Sequence, residues 1–370
     1  MDEGLLIASF TLLFLYLLFI VLLWFGWRSR KSYNTIQKEI KGVTVLVPFR
    51  NEKENLSSLL LSFENQCLNE SLFEVIFIDD HSDDGGKDFL INNLSRNNMS
   101  VLSLDQDSSG KKAALELGLS AAKNSHIITT DADCYHSEFW LESMYAAYCE
   151  TGADLLLGPV MHTGVSGFIS GFDALDFASL GLVTAGSAGL KKAFLANGAN
   201  LMVAKEYYNS PIYEKGKKLA SGDDVYILEA VKRAAGKVVF CKEKKALVLS
   251  KPSFCLSSFV SQRTRWLSKM KVTGTFSVLM QGGMVVLVNT LVLVFFLTAF
   301  FINPIWFYLY AGVKMLTEFV VMFDYLKYFG KQKMLNYFPL AYILYPVYLL
   351  ILVSSSFIGR FEWKGRQYKV

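Results

Sequence analysis

The sequence predicts an α/β domain, doubly wound around a mostly parallel sheet and carried by about four membrane-crossing helices. Three observations predict it. Hydrophobic residues make up 52% of the 370 and charged residues only 19%, and the apolar excess gathers into long runs near the two ends. Between those runs, short β-branched segments alternate with helical patterns. Three of the predicted strands are followed at once by acidic residues, at the edge where such sheets bind ligands. Composition excludes other classes. So apolar a chain is not disordered. Five cysteines are too few, and odd in number, for a disulfide scaffold. A net charge of +4 is too small to argue for nucleic acid.

Leu5 to Trp27 is an unbroken uncharged run of 23 residues, enough to cross about 30 Å of hydrocarbon as a helix. A cleavable signal peptide is the competing reading. The acidic start (Asp2, Glu3), the length, and the basic cluster Arg28, Arg30 and Lys31 behind the run count against it. Those cations place residue 28 onward in the cytoplasm. Further apolar segments run over 276–302, 304–323 and 337–358. Lys314 and Glu318, four apart, share a helix face and are placed to pair inside the bundle. One plus three crossings would leave the tail, 359–370, outside. Its Arg360, Lys364, Arg366 and Lys369 against Glu362 belong in the cytoplasm. The segment 337–358 is therefore read as either transmembrane or re-entrant.

Residues 28–250 form the α/β domain. Strands are expected at Val43–Val47, Glu74–Ile78, Met99–Leu104, His126–Thr130 and Asp154–Leu157. Helices are expected near Glu52–Asn65, Asp84–Asn97 and Lys111–Lys123. The five cysteines, in a reducing cytoplasm, are expected to be free thiols. Residues 251–271 read as an interfacial amphipathic helix. Leu256, Phe259, Val260, Leu267 and Met270 recur at helical spacing, with Arg263, Arg265, Lys269 and Lys271 between them.

The chemistry-bearing residues follow the strands. After the first come Pro48-Phe49-Arg50-Asn51-Glu52, after the second Asp79-Asp80-His81-Ser82-Asp83-Asp84-Gly85, and after the fourth Asp131-Ala132-Asp133. Carboxylates so gathered repel unless a cation joins them. In an extended segment Asp131 and Asp133 point the same way, and hard oxygens of this kind suit Mg²⁺ or Mn²⁺ bridging to phosphate. Alone, such a pair is more often a turn or cap. Gly110-Lys111-Lys112 opens a helix, where amides and a lysine favour an anion or simply meet solvent. The spacing is not that of a P-loop, and no Gly-x-Gly-x-x-Gly follows the first strand. Ser221-Gly222-Asp223-Asp224 precedes a helix. One acid there can accept a proton while the other orients a hydroxyl, or the pair is only a cap. Gln262-Arg263-Thr264-Arg265-Trp266 lies on the amphipathic helix. An arginine fork suits phosphate oxygens and an indole face suits a sugar ring, although arginine and tryptophan at an interface also serve as plain anchors.

Taken in order, these pieces, with Gly198-Ala199-Asn200 between the Asp-x-Asp and Gly222-Asp223-Asp224, resemble the membrane-bound family 2 glycosyltransferases. That group includes cellulose synthase, hyaluronan synthase and ceramide glucosyltransferase. The resemblance covers roughly residues 42–270 and the membrane layout. It implies a GT-A fold and inverting transfer from a nucleotide-sugar, with a UDP-sugar favoured. It further implies that Pro48, Glu52 and Asp80 hold the nucleoside end and that Lys111 sits near the phosphates. Asp131 and Asp133 would meet the diphosphate and its Mg²⁺ or Mn²⁺. Asp224, with Asp223 beside it, would be the base. Arg265 would steady the leaving diphosphate, and Trp266, Gln262 and Asn200 would meet the acceptor. His81 stands where the family more often has a small residue, which bears on base or donor choice. Four crossings are few for a polymer channel and favour a non-processive enzyme acting on a lipid acceptor in the bilayer, in the bacterial inner (cytoplasmic) membrane with its catalytic domain cytoplasmic and an oligomer compatible with it. A processive polysaccharide synthase is the alternative, and a non-catalytic sugar-binding or scaffold protein the alternative of another class.

Overall fold

The computed structural model describes residues 3–29, 39–216, 222–273, 276–299, 301, 303–355, 360–363 and 366–369. Asp2, Arg30, Lys31, Ser221, Ile302, Ile358 and Lys364 lie outside the described residues. In chain order the elements are α1 (Glu3–Arg28), β1 (Val43–Phe49), α2 (Lys53–Glu64), β2 (Phe73–Asp79), α3 (Gly86–Asn93), β3 (Met99–Ser103), α4 (Lys111–Ala121), β4 (His126–Thr129) and α5 (Trp140–Thr151). There follow β5 (Leu155–Leu157), β6 (Val160–His162), α6 (Phe168–Gly189), β7 (Leu201–Ala204), α7 (Pro211–Gly216), α8 (Asp223–Arg233), β8 (Val238–Phe240) and β9 (Val248–Ser250). The last are α9 (Leu256–Thr273), α10 (Phe276–Thr298), α11 (Ile305–Tyr328), α12 (Phe338–Ser355), β10 (Arg360–Trp363) and β11 (Arg366–Lys369). They divide into two compact units: Ser29–Gly164 with Val183–Lys251, and Met1–Arg28 with Val165–Leu182 and Pro252–Val370.

The first unit is built on a seven-stranded sheet of order β3-β2-β1-β4-β7-β5-β8. β3, β2, β1 and β4 run parallel, so their carboxyl ends share one edge. All five expected strands and all three expected helices are present, with ends shifted by a few residues. β1 and β2 are apolar almost throughout and buried along nearly their whole length, as strands covered on both faces must be. α4 packs closely on them. A Cβ at Gly118 would come within 2.9 Å of Leu46 and 3.0 Å of Ile78, so only glycine lets this helix approach. β7 enters antiparallel between β4 and β5, while β5 and β8 are parallel. β6 and β9 form a separate parallel pair. The five cysteines are thiols, as expected.

Behind β4 this unit buries a histidine. The His136 ring lies 4.1 Å from the Trp140 ring and 5.3 Å from the Phe63 ring, centre to centre. Burial pushes its imidazole down to about 3.

The second unit gathers α1, residues 165–182 with the first part of α6, and α9 to α12. Among the described residues five helices are long and apolar enough to cross a membrane: Glu3–Arg28, Phe168–Gly189, Val278–Thr298, Ile305–Tyr328 and Gln332–Ser355. Four of them match the expected crossings. Phe168–Gly189 is additional, and it is much the most buried, 67% of its apolar window against 17–28% for the others. The predicted pair forms, with Lys314 Nζ 2.8 Å from Glu318 Oε1. Tyr16 of α1 donates its hydroxyl to the same carboxylate, and Lys314 also faces the Tyr342 ring at 4.6 Å. At the end of α1, Arg28 meets both oxygens of Asp324 at 2.6 and 3.0 Å, and Trp24 donates to it at 2.9 Å. These polar contacts tie α1 to α11. The basic tail folds back as an antiparallel hairpin of β10 and β11.

One expectation for α9 is corrected. Arg263, placed among the polar-face cations by its spacing, is 3% exposed. It bonds Asp173 at 2.5 Å and Asp176 at 2.6 Å, both on α6. Tyr345 donates to Asp176 at 3.2 Å and the Ser253 amide to Asp173 at 2.7 Å. Two buried acids demand an inward cation more strongly than amphipathic spacing sends it outward.

Two stability predictions follow from these buried groups. Arg263→Ala leaves Asp173 and Asp176 buried without their cation, a cost of roughly 3–5 kcal/mol. Thermal unfolding in detergent should show a much lower midpoint, and an unchanged midpoint would refute the ion-pair role. His136 supplies a pH dependence. Its folded-state value lies below the ordinary histidine value of about 6.5, so its stabilising contribution is complete above about pH 6.5. That contribution falls as pH drops toward 3, by up to ~1.4 kcal/mol per pH unit. Unfolding measured at stepped pH should show this slope, and His136→Phe should flatten it.

Candidate functional site

The carboxyl edge of β1, β2 and β4 collects the polar loops of the first unit. Pro48 pairs in register with Ile78 and Phe49 with Asp79, so both strands end level. Beyond them Asn51 and His81 adopt left-handed backbone, at φ 53° and 57°, which costs non-glycine residues of order 1 kcal/mol each. Hydrogen bonds hold the two loops there. The Asn51 amide donates to Ser82 and the Asp83 amide to the Asn51 side chain, each at 3.0 Å. Glu52 caps α2 and accepts from the Asn55 side chain at 2.5 Å.

Asp80 is buried, 3% exposed. Its carboxylate accepts from the Gly110 amide at 3.0 Å, and its carbonyl accepts from Arg50 at 2.9 Å. His81 Nε2 donates to the Ser108 carbonyl at 2.8 Å, since a carbonyl can only accept. The end of β2 thereby fixes the loop that launches α4. Gly110, at φ 94°, makes the sharp turn into that helix.

Lys111, the first residue of α4, forms an ion pair with Asp131 at the end of β4. Burial works against the charge on Lys111. Asp131, with Asp223 and Asp224 beyond it, outweighs that and holds the ammonium above the ordinary lysine value. Lys112, 8% exposed, stands 3.8 Å from Asp223 and 5.3 Å from the centre of the Tyr226 ring. Tyr208 and Tyr213 pack nearby. Burial and the Asp223 charge push both phenols up, so they stay protonated.

Asp223 and Asp224 open α8 behind Gly222, whose φ of 104° only glycine adopts readily. One Asp224 oxygen accepts from the Val225 amide at 2.9 Å. A methyl group added at Gly198 would stand 3.8 Å from both the Lys111 ammonium and the Asp224 Cβ. Thr129, ending β4, donates to the Gly198 carbonyl at 2.7 Å. Lys111, Asp131, Gly198, Asp223 and Asp224 are thus assembled at one edge.

Asp133, two residues beyond Asp131, is half-buried in the same turn, where the Cys134 amide donates to the Asp131 carbonyl at 3.2 Å. Burial, with Asp133 and Asp131 close by, pushes the Cys134 thiol well up, so it is not a thiolate. Among the described residues no group of three or more Asp, Glu, His or Cys side chains is arranged to close a metal shell. Two hard carboxylates beside a lysine fit a divalent cation that takes its remaining oxygens from a bound phosphate group.

The structure moves one predicted residue away from ligand contact. Asn200 is 0% exposed and every polar atom of its side chain is engaged. Its oxygen accepts from Trp140 Nε1 at 3.1 Å, and its nitrogen donates to the Pro159 and Ala246 carbonyls, each at 2.9 Å. It ties the sheet unit together and leaves nothing for an acceptor. Gln262, Arg265 and Trp266 lie on α9 in the second unit. There Gln262 accepts from Arg263 at 2.7 Å, and the Arg263 guanidinium covers one Trp266 face at 4.2 Å. Lys112 is the charged residue of the edge that the sequence mentions without assigning a role. Its neighbour Lys111 carries the same signal, and a helix start can direct both side chains toward acids.

The profile of the family described as Glycosyl transferase family 2 matches residues 44–174. Glycosyltransferase AglE of Haloferax volcanii is 26% identical over 185 residues, half of this chain and 59% of its own. Poly(ribitol-phosphate) beta-N-acetylglucosaminyltransferase TarP of Staphylococcus aureus is 29% identical over 119 residues, 32% of this chain and 36% of its own. The match thus spans less than two thirds of either relative. Among solved structures, a mannosyltransferase from Pyrobaculum calidifontis, in complex with GDP-Man and Mn²⁺, superposes with a TM-score of 0.59 at 14% identity, over 96% of this chain and 98% of that one. At that identity the likeness is one of fold. The sheet and its acidic edge are in keeping with that match: residues 44–174 of this chain fit the Glycosyl transferase family 2 model, on a fold like that of the mannosyltransferase.

Proposed function

We propose that the protein transfers a sugar from a nucleotide-sugar donor to a hydroxyl of a membrane lipid, one sugar at a time and with inversion. The observation that carries this reading is the position of Lys111, paired with Asp131 and close to Asp224 across Gly198. A cation between a diphosphate-binding carboxylate pair and a second carboxylate is what displacement of a diphosphate by a neutral hydroxyl requires.

In this reading Glu52 and Asp80, on the braced loops after β1 and β2, hold the nucleoside end, with Pro48 beneath them. Lys111 neutralises phosphate charge. Asp131 and Asp133 hold Mg²⁺ or Mn²⁺, which when bound supplies charge neutralisation to the leaving diphosphate. Asp224 accepts the proton of the acceptor hydroxyl while its oxygen attacks the anomeric carbon from the face opposite the diphosphate. The carbon–oxygen bond to the diphosphate breaks, and the nucleoside diphosphate leaves with the electron pair. Asp223, held by Lys112, orients the hydroxyl. Arg265 is assigned to the leaving diphosphate, and Trp266 and Gln262 to the acceptor, on the strength of their motif. The apolar helices of the same chain support an acceptor resident in the bilayer. The catalytic face is assigned to the cytoplasm by the cations that follow α1.

Detergent-purified protein, Mn²⁺ or Mg²⁺ and a panel of nucleotide-sugars test the reading through released nucleoside diphosphate. Lipid-dependent release is expected from one donor. Asp224→Asn should lower it by roughly 10²–10⁴-fold, the usual contribution of a positioned base, without shifting the unfolding midpoint. Chelation should abolish release and added Mn²⁺ should restore it, except in Asp133→Asn. Release without lipid, together with a high-mass product, would replace the lipid transferase with a processive synthase. Equal release from wild type and Asp224→Asn would remove the proposed base.

A further inference from the structure

Behind the Asp131-Ala132-Asp133 turn lies a buried polar chain that the proposed chemistry leaves unused. Thr130, 0% exposed, directly precedes Asp131, and its amide donates to the Leu46 carbonyl of β1 at 3.3 Å. Its hydroxyl lies 2.8 Å from His136 Nε2. On the other side of the ring, His136 Nδ1 is 3.4 Å from the Ser62 hydroxyl, which already donates its proton to the Leu59 carbonyl at 2.7 Å. Toward the ring Ser62 can therefore only accept. That places the imidazole proton on Nδ1 and leaves a lone pair on Nε2 for the Thr130 hydroxyl.

The ring has little freedom. It packs against Phe63 and Trp140, which also meet each other at 6.2 Å, and the Trp140 N–H is bonded to Asn200, whose amide is bonded in turn to the Pro159 and Ala246 carbonyls. Gln66 closes the same region, donating to the Ser137 carbonyl and accepting from the Leu141 amide at 2.8 and 2.9 Å. A fully satisfied buried network of this kind admits few alternative arrangements. Thr130 leads from it to the acidic edge.

We propose that His136 is a positioning residue for Asp131 and Asp133, acting through the Thr130 hydroxyl to set the direction in which the two carboxylates leave β4. Without the lone pair on Nε2 the hydroxyl is left with the Cys134 sulfur, a weak acceptor, and the turn gains rotational freedom just where two carboxylates must converge. The inference rests on the reading that these carboxylates hold a divalent cation beside a nucleoside diphosphate.

Titration of purified protein with Mn²⁺ in the presence of UDP or GDP, following the free ion by electron paramagnetic resonance, tests it without turnover. His136→Phe keeps an aromatic ring against Phe63 and Trp140 and loses the bond. His136→Gln restores a polar group at about the reach of Nε2. His136→Phe is expected to bind Mn²⁺ at least tenfold more weakly than wild type, and His136→Gln to return within threefold. Thr130→Val should match His136→Phe, and the double variant should be no weaker than the worse single one, as for two residues acting through one bond. Unfolding midpoints are measured alongside. A folded His136→Phe with wild-type Mn²⁺ affinity would overturn the proposal, as would His136→Gln no better than His136→Phe at equal midpoints. Should His136→Phe not fold, His136→Gln against Thr130→Val decides on the same criteria. Wild-type protein that binds no Mn²⁺ with either nucleotide would overturn the cation reading itself and this inference with it.

Discussion

The neutralisation of the acidic edge by the first turn of α4 is the interaction on which the rest of the sheet unit depends. A parallel sheet brings the ends of β1, β2 and β4 level, and this chain places Asp80 and Asp131 at two of them, with Asp223 and Asp224 arriving from α8. Like charges so close would be driven apart or protonated. Lys111 and Lys112, adjacent in sequence, reach different acids: Lys111 takes Asp131 and Lys112 stands by Asp223. The helix start that delivers them is in turn fixed by the Gly110 amide on Asp80 and the Ser108 carbonyl on His81. The bracing of the β2 loop therefore serves a charge balance made at β4. Strained backbone at Asn51 and His81 is tolerated because those loops hold the helix in place.

Much of this was legible in the sequence because the signals are local. A parallel strand covered on both faces is a short apolar run, and its ligand-binding edge is whatever polar residue follows. That is why Val43, Phe73, Met99 and His126 each begin a strand near where the pattern put it. What the pattern does not carry is pairing direction. β7 is four residues, Leu201–Ala204, too short to stand out, yet its antiparallel entry between β4 and β5 brings the Gly198 loop to the site. Motif membership likewise does not reveal where a side chain points. Asn200 sits within a recognisable Gly-Ala-Asn, but the structure spends its amide on Trp140, Pro159 and Ala246. No spacing rule would have separated a buried amide from a ligand-facing one.

Arg263 and His136 show the other limit. Arg263 reads in one dimension as a polar-face cation between apolar positions, and His136 belongs to no pattern there. Their roles come from partners far along the chain. Arg263 answers Asp173 and Asp176, about 90 residues upstream on a helix whose own acids break an otherwise apolar stretch. A pair of acids three apart in so apolar a helix is the one signal that could have called for a distant arginine. For His136 the signal was weaker, since Thr130 and Phe63 bear no mark of the ring between them.

The two units solve the problem of buried charge with different means, and the difference follows from what each has for solvent. In the helical unit, Lys314 with Glu318 and Tyr16, and Arg263 with Asp173 and Asp176, are buried sets in which each charge meets an opposite one, while Arg28 with Asp324 is a more exposed pair. An ion buried there without its partner would cost more than a single helix contact could return. The sheet unit is under no such pressure at its carboxyl edge, because water and ligand have access. There the balance is deliberately incomplete: Asp131 is 39% exposed on its side chain even while paired with Lys111. A carboxylate that a lysine neutralises at a partly exposed edge keeps its charge without the full desolvation cost that the buried sets must offset with their partners.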